Sequence, residues 1–69
     1  MVKRRLNRIR VVLAERNLAN KWLAERLAKD QTTVSRWCTN EMQPSLSTLA
    51  KIADNLDVDI KDLLWSTKQ

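Results

Sequence analysis

The chain has no glycine, histidine, tyrosine or phenylalanine, and one proline and one cysteine in 69 residues. Without histidine the usual proton carrier near neutral pH is missing, and a single Cys38 can build neither a zinc set nor an intramolecular disulfide. An enzyme is therefore the weakest reading, and no cofactor or metal is expected. Cys38 reads as a small buried apolar residue of a reduced, intracellular chain. No apolar run approaches the roughly 20 residues that cross a bilayer. The opening Met1 to Leu6 has no signal-like apolar core behind it, so a cytoplasmic protein is expected.

Residues that favour strands are also scarce. Leu, Ala, Arg, Lys and Glu dominate instead, which is the composition of helices. A chain this short buries only roughly 60% of the surface it exposes when unfolded, so a compact, local topology is favoured. We expect an all-α fold and one domain over residues 1–69.

What the chain does have is charge: 13 Lys and Arg against 8 Asp and Glu, a net +5. Met1 to Arg16 carries six cations and one anion, Asn17 to Arg36 four and two, and Trp37 to Gln69 three and five. A chain basic in its first half and mildly acidic in its last third attracts polyanions. On charge alone this is also how a merely solvated face looks, so the decision falls to the pattern of side chains.

Leu6, Ile9 and Leu13, with Val12 beside them, form an apolar stripe that predicts a first helix from about Arg4 to Arg16. Asn17 and Asn20 interrupt it, and asparagine suits helix ends because it caps starts and tolerates left-handed backbone. Leu23, Ala24 and Leu27 then mark a short second helix. Asp30 is placed to cap a third, Gln31 to Cys38, through the N–H of Thr32 or Thr33. The third helix is unusual in composition, because two threonines, a valine and a serine all prefer other states. Its inward face is Val34, Trp37 and Cys38. Its outward face, Gln31, Thr32, Thr33, Ser35 and Arg36, holds hydrogen-bonding groups where ordinary helices carry Glu and Lys, and suits a partner rich in donors and acceptors.

Thr39 to Gln43 reads as a loop, with Pro44 and the cap Ser45 opening a fourth helix. Leu46, Leu49, Ile52, Ala53 and Leu56 give that helix a core stripe over Leu46 to Leu56. Asp59 can cap a fifth helix bearing Ile60, Leu63, Leu64 and Trp65, before a frayed tail from Ser66. A second and third helix joined by a turn of three or four residues make a helix-turn-helix at about 20–39.

The run Asn20 to Leu27, continued by Gln31 to Trp37 and then by Gln43 to Leu46, resembles the Cro/C1-type helix-turn-helix family of transcriptional regulators, also called the XRE family. The resemblance covers about Leu6 to Leu64. It implies a five-helix, lambda-repressor-like domain that binds double-stranded DNA with its third helix in the major groove. By the same resemblance, Gln31, Thr32, Thr33 and Arg36 stand where family members meet bases. Chemistry agrees: Gln suits adenine N6/N7, Arg suits guanine O6/N7, and a Thr methyl can pack on the thymine methyl. Asn20, Lys21, Ser35, Thr39, Asn40 and Gln43 stand at phosphate-facing positions, and Lys3, Arg4, Arg5 and Arg8 add sequence-independent attraction.

Several positions depart from the family pattern. Its usual glycines after the second and third helices are Ala28 and Asn40 here. Alanine with positive φ would cost about 1 kcal/mol. An ion pair that many members make is replaced by apolar Leu13 and Cys38. Glu41 places an anion in the phosphate-facing loop. Trp37 is expected in the core, whereas Trp22 either covers the junction with the first helix or meets DNA backbone.

The expected function is a sequence-specific DNA-binding regulator, nucleoid-associated when bound. It is expected to act as a homodimer on an inverted repeat, paired through Ile60, Leu64 and Trp65 of the last helix. The alternatives are an antitoxin-like protein that also binds a toxin, and a protein-interaction module on the same scaffold, which Glu41 favours.

Overall fold

The computed structural model describes residues 5–66. Four α-helices follow one another: α1 (Ile9–Glu15), α2 (Asn20–Leu27), α3 (Gln31–Cys38) and α4 (Leu46–Leu56). A 3-10 turn, Ile60–Leu63, stands where a fifth α-helix was expected. The all-α class holds, with four helices rather than five among the described residues. Of the frayed tail expected from Ser66, residues 67–69 lie outside them.

The first helix is shorter than its apolar stripe suggests, starting at Ile9 rather than Arg4. The cause is a tertiary pairing. Leu6 to Arg8 run alongside Leu63 to Trp65: Asn7 and Leu64 form an antiparallel bridge. Arg8 N–H donates to the Leu63 carbonyl at 2.8 Å, and Trp65 N–H to the Leu6 carbonyl at 3.0 Å. Leu6 therefore leaves the helical stripe and sits at the surface. Asn7 is 2% exposed. Its Oδ1 accepts from Ile9 N–H at 3.1 Å, while its Nδ2 donates to the Trp37 carbonyl at 2.9 Å and to Gln43 Oε1 at 2.7 Å. Burial of an amide is tolerated because both its ends are bonded.

The helix ends share one device. Asn17, Ala28, Asn40 and Asp57 have φ of 56°, 55°, 62° and 57°. After each, the next residue's N–H turns back to a helix carbonyl: Leu18 to Leu13, Lys29 to Ala24, Glu41 to Arg36 and Val58 to Ala53, at 2.9 to 3.0 Å. These are Schellman-type closures made without glycine. Asparagine and aspartate accept left-handed backbone at modest cost, whereas Ala28 carries a Cβ penalty of about 1 kcal/mol.

The core gathers Ile9, Val12 and Leu13 of α1, Leu23 and Ala24 of α2, Val34, Trp37 and Cys38 of α3, Leu49, Ile52, Ala53 and Leu56 of α4, and Leu63. Leu46 is not part of it. At 73% exposed, it lies in the first turn of α4, just past the Ser45 cap, and the buried stripe begins only at Leu49. The Leu13 and Cys38 positions are both buried, as apolar replacements for an ion pair should be.

Candidate nucleic-acid interface

α3 packs against α2 and turns its polar side outward. Its start is held by Asp30, whose Oδ1 accepts from Thr33 N–H at 2.7 Å. That bond, with smaller help from the Arg36 and Lys29 charges, holds the Asp30 carboxyl below its ordinary value. Once started, the helix is oriented by burial of Val34, Trp37 and Cys38. Gln31, Thr32 and Arg36 are then exposed, and Thr33 and Ser35 are half-buried at the edges of the face. A shallow depression is lined by Gln31, Thr32, Ser35, Arg36 and Glu41.

Arg36 is the one cation on this face, and it has a neighbour of opposite sign. Its Nε lies 3.6 Å from Glu41 Oε2, and its Nη1 lies 4.0 Å from Met42 Sδ. The Arg36 carbonyl meanwhile accepts from Glu41 N–H at 2.9 Å and from Met42 N–H at 3.2 Å. The left-handed Asn40 thus folds the loop back over Arg36.

Asn20 opens α2, half-buried, and its Oδ1 accepts from the Cys38 thiol at 3.3 Å. Burial pushes the Cys38 thiol up, with the Arg10 charge opposing more weakly. Lys21 and Thr39 are exposed at opposite ends of the helix-turn-helix. Thr39 Oγ1 donates to the Arg36 carbonyl at 3.2 Å.

Asn40 and Gln43 have internal duties that sequence reading did not foresee. Asn40 Oδ1 accepts from Leu6 N–H and Asn7 N–H, both at 2.9 Å, and from Gln43 Nε2 at 3.1 Å. Asn40 Nδ2 donates to the Asn7 carbonyl at 3.0 Å. The backbone N–H groups of Asn40, Glu41 and Met42 bond to α3 carbonyls.

Arg8 is also engaged within the fold. It donates to the Asp62 carbonyl at 3.3 Å, approaches Glu15 at 4.0 Å and lies 5.2 Å over the Trp65 ring. Arg5 is exposed. Lys3 and Arg4 lie outside the described residues.

Trp37 is 4% exposed and belongs to the core. Trp22 packs at the edge of the core and carries the Arg26 guanidinium 5.1 Å over its ring. Asn7 went unnoticed in the sequence. Its one signal is a polar residue between Leu6 and Ile9, which on a helix wheel reads as a solvent position.

No described helix is long and apolar enough to cross a membrane. No curated protein matches the chain. Among solved structures, one of a candidate DNA-binding protein from Bacteroides fragilis is 53% identical, covers 87% of this chain and 97% of its own, and superposes with a TM-score of 0.85. The family model of the Cro/C1-type helix-turn-helix DNA-binding domain matches residues 8–68. With that match spanning nearly all of a fold whose α2 and α3 present a polar outer face, the chain belongs to the Cro/C1-type helix-turn-helix DNA-binding domain family.

Proposed function

We propose that the protein is a sequence-specific regulator of transcription that reads double-stranded DNA with α3 in the major groove, as a homodimer on an inverted repeat. The observation that carries this reading is the outer face of α3, where exposed Gln31, Thr32 and Arg36 stand over a buried Val34, Trp37 and Cys38 face. Gln31, Thr32, Thr33 and Arg36 meet base edges. Asn20, Lys21, Ser35, Thr39 and Arg5 meet phosphates and fix the register. Asn40 and Gln43 serve this interface chiefly by holding the loop against Leu6 and Asn7, and Arg8 by joining the start of α1 to Asp62 and Trp65. Exposed Leu6, Leu64 and Trp65, adjacent across the antiparallel bridge, support a pairing surface near the end of the chain. Ile60, half-buried against the core, contributes less to it than Leu64 and Trp65.

The test is selection from a randomised duplex library at about 150 mM salt, where attraction by a few cations is largely suppressed. Enrichment of an inverted repeat with half-sites about one helical turn apart is expected. Arg36→Ala should then relax discrimination at one base pair by about 1–3 kcal/mol, and Lys21→Ala should weaken all duplexes alike and lower the salt slope by about 1. No enrichment, with retention lost uniformly as salt rises, would sink the reading and direct the search to a protein partner.

A further inference from the structure

The pairing of Arg36 with an anion from the following loop is not needed to build the fold. Both side chains are about half exposed, at 53% and 49%, and exposed ion pairs contribute little stability. Its placement is nevertheless imposed by the backbone. Left-handed Asn40 brings Glu41 N–H to within 2.9 Å of the Arg36 carbonyl, so residue 41 returns to residue 36 whatever its side chain. A carboxylate at this return point meets the guanidinium at its Nε, 3.6 Å away, rather than at its end. The Nη1 corner meets the soft sulfur of Met42 at 4.0 Å, a weak acceptor that a base edge can displace. Asp30 adds a second anion near enough for its charge and that of Arg36 to be felt mutually. Arg36 thus stands between the Glu41 carboxylate and, more distantly, that of Asp30, which Lys29 also neighbours.

We propose that Glu41 is a specificity-determining residue of the DNA-reading face: it holds Arg36 by its inner edge, so that the outer edge of the guanidinium meets a guanine, and it offsets the charge that would draw Arg36 to any phosphate. This inference rests on the DNA-reading function proposed above. An unrestrained arginine can swing between a base and the nearest phosphate, and the second contact carries no sequence information. A restrained guanidinium retains its planar fork for the bidentate contact that only a guanine offers in the major groove. Glu41 acts here as a positioning residue, working through Arg36, and its cost is lower affinity for DNA of every sequence.

The experiment is competition binding by fluorescence anisotropy between 50 and 200 mM salt, using wild type, Glu41→Gln, Glu41→Ala, Gln31→Ala, Arg36→Ala and the Arg36→Ala/Glu41→Gln double variant. The probes are the duplex enriched by wild type, its single base-pair variants and a random duplex. Glu41 is exposed, so both of its variants should fold, and circular dichroism checks this. Glu41→Gln and Glu41→Ala should bind the random duplex about 3–10-fold more tightly at low salt, with a salt slope steeper by about 1. They should also lose about 3–10-fold discrimination at the base pair that Arg36→Ala identifies, keep discrimination at the pair that Gln31→Ala identifies, and cause no further loss in the Arg36→Ala background. Tightening for all duplexes alike, with discrimination at the Arg36 base pair retained, would overturn the role of Glu41 and leave the DNA-reading function standing. A wild type with no sequence preference would overturn both.

Discussion

Ala28 is the residue at which local preference and tertiary demand conflict most clearly. Its φ of 55° is needed to turn the chain from α2 into α3, with Lys29 N–H closing on the Ala24 carbonyl. Glycine adopts this conformation without penalty, so Ala28→Gly should raise stability by about 0.5–1 kcal/mol, and Ala28→Val should lower it by at least as much. Thermal melts would show the first as an increase of a few degrees, since about 1 kcal/mol moves Tm by roughly 4–8 °C in a chain of this size. Asn40 presents the complementary case. Its left-handed backbone and its amide serve different ends, and Asn40→Gly keeps the first while removing the bonds to Leu6, Asn7 and Gln43. Urea denaturation should report a loss of about 1–3 kcal/mol from the orphaned groups, despite the easier turn.

Among the elements, α3 depends most on its cap, because Thr32, Thr33, Val34 and Ser35 give it poor intrinsic propensity. The Asp30 carboxylate accepts the Thr33 N–H, and its pKa is depressed in the folded chain. A group of this kind contributes stability above its unfolded pKa, here near the ordinary 3.8, and loses it as pH falls through the lower folded value. Wild type should therefore show an acid-sensitive limb below about pH 4 that is flatter in Asp30→Asn, as read by urea midpoints against pH. At neutral pH the variant should be the less stable of the two, since an amide oxygen caps without the favourable charge. The same element illustrates why its bounds were legible: Asp30 before it, Asn40 after it and the Val34, Trp37, Cys38 spacing agree on one helix. α1 lacked such agreement, with no cap residue at Arg4, and its stripe overran the true start at Ile9.

At the scale of the whole molecule, the segment before α1 is joined to the segment after the 3-10 turn, Leu6 to Arg8 with Leu63 to Trp65. Asn7 bonds to the end of α3 and to Gln43, while Arg8 bonds to Asp62 and covers Trp65. Asn7→Ala should cost about 1–3 kcal/mol, because the Trp37 carbonyl and Gln43 Oε1 each lose a donor in a sparsely hydrated place. The joined segments leave Leu6, Leu64 and Trp65 at the surface, where a second copy of the chain is proposed to pair. Leu64→Lys should leave the melting curve nearly unchanged at concentrations low enough for wild type to be monomeric, shift sedimentation at tens of micromolar from dimer to monomer, and weaken binding to a full inverted repeat far more than to a half-site. Equal sedimentation of both proteins as monomers would show that any pairing needs DNA.

Periodicity and capping chemistry by themselves determined α2, α3 and α4 and the order of the elements, because each signal is local. Asp30 and Ser45 announce helix starts, the stripes from Leu23 and from Leu46 name the buried faces apart from Leu46 itself, and the burial of Val34, Trp37 and Cys38 leaves Gln31, Thr32 and Arg36 outside whatever lies around them. Only the tertiary structure decided what required two distant segments to meet. Leu6 and Asn7 follow a helical pattern until Leu63 to Trp65 arrive to pair with them. Ile60 to Leu63 tighten into a 3-10 turn where that pairing begins. Asn40 and Gln43 look like loop residues open to phosphate until Leu6 and Asn7 are laid across them. Glu41 looks like a misplaced anion until the backbone closure after α3 sets it beside Arg36. Local energies favour a helix wherever a stripe exists, and only the hydrogen bonds of a partner from elsewhere in the chain can outweigh them.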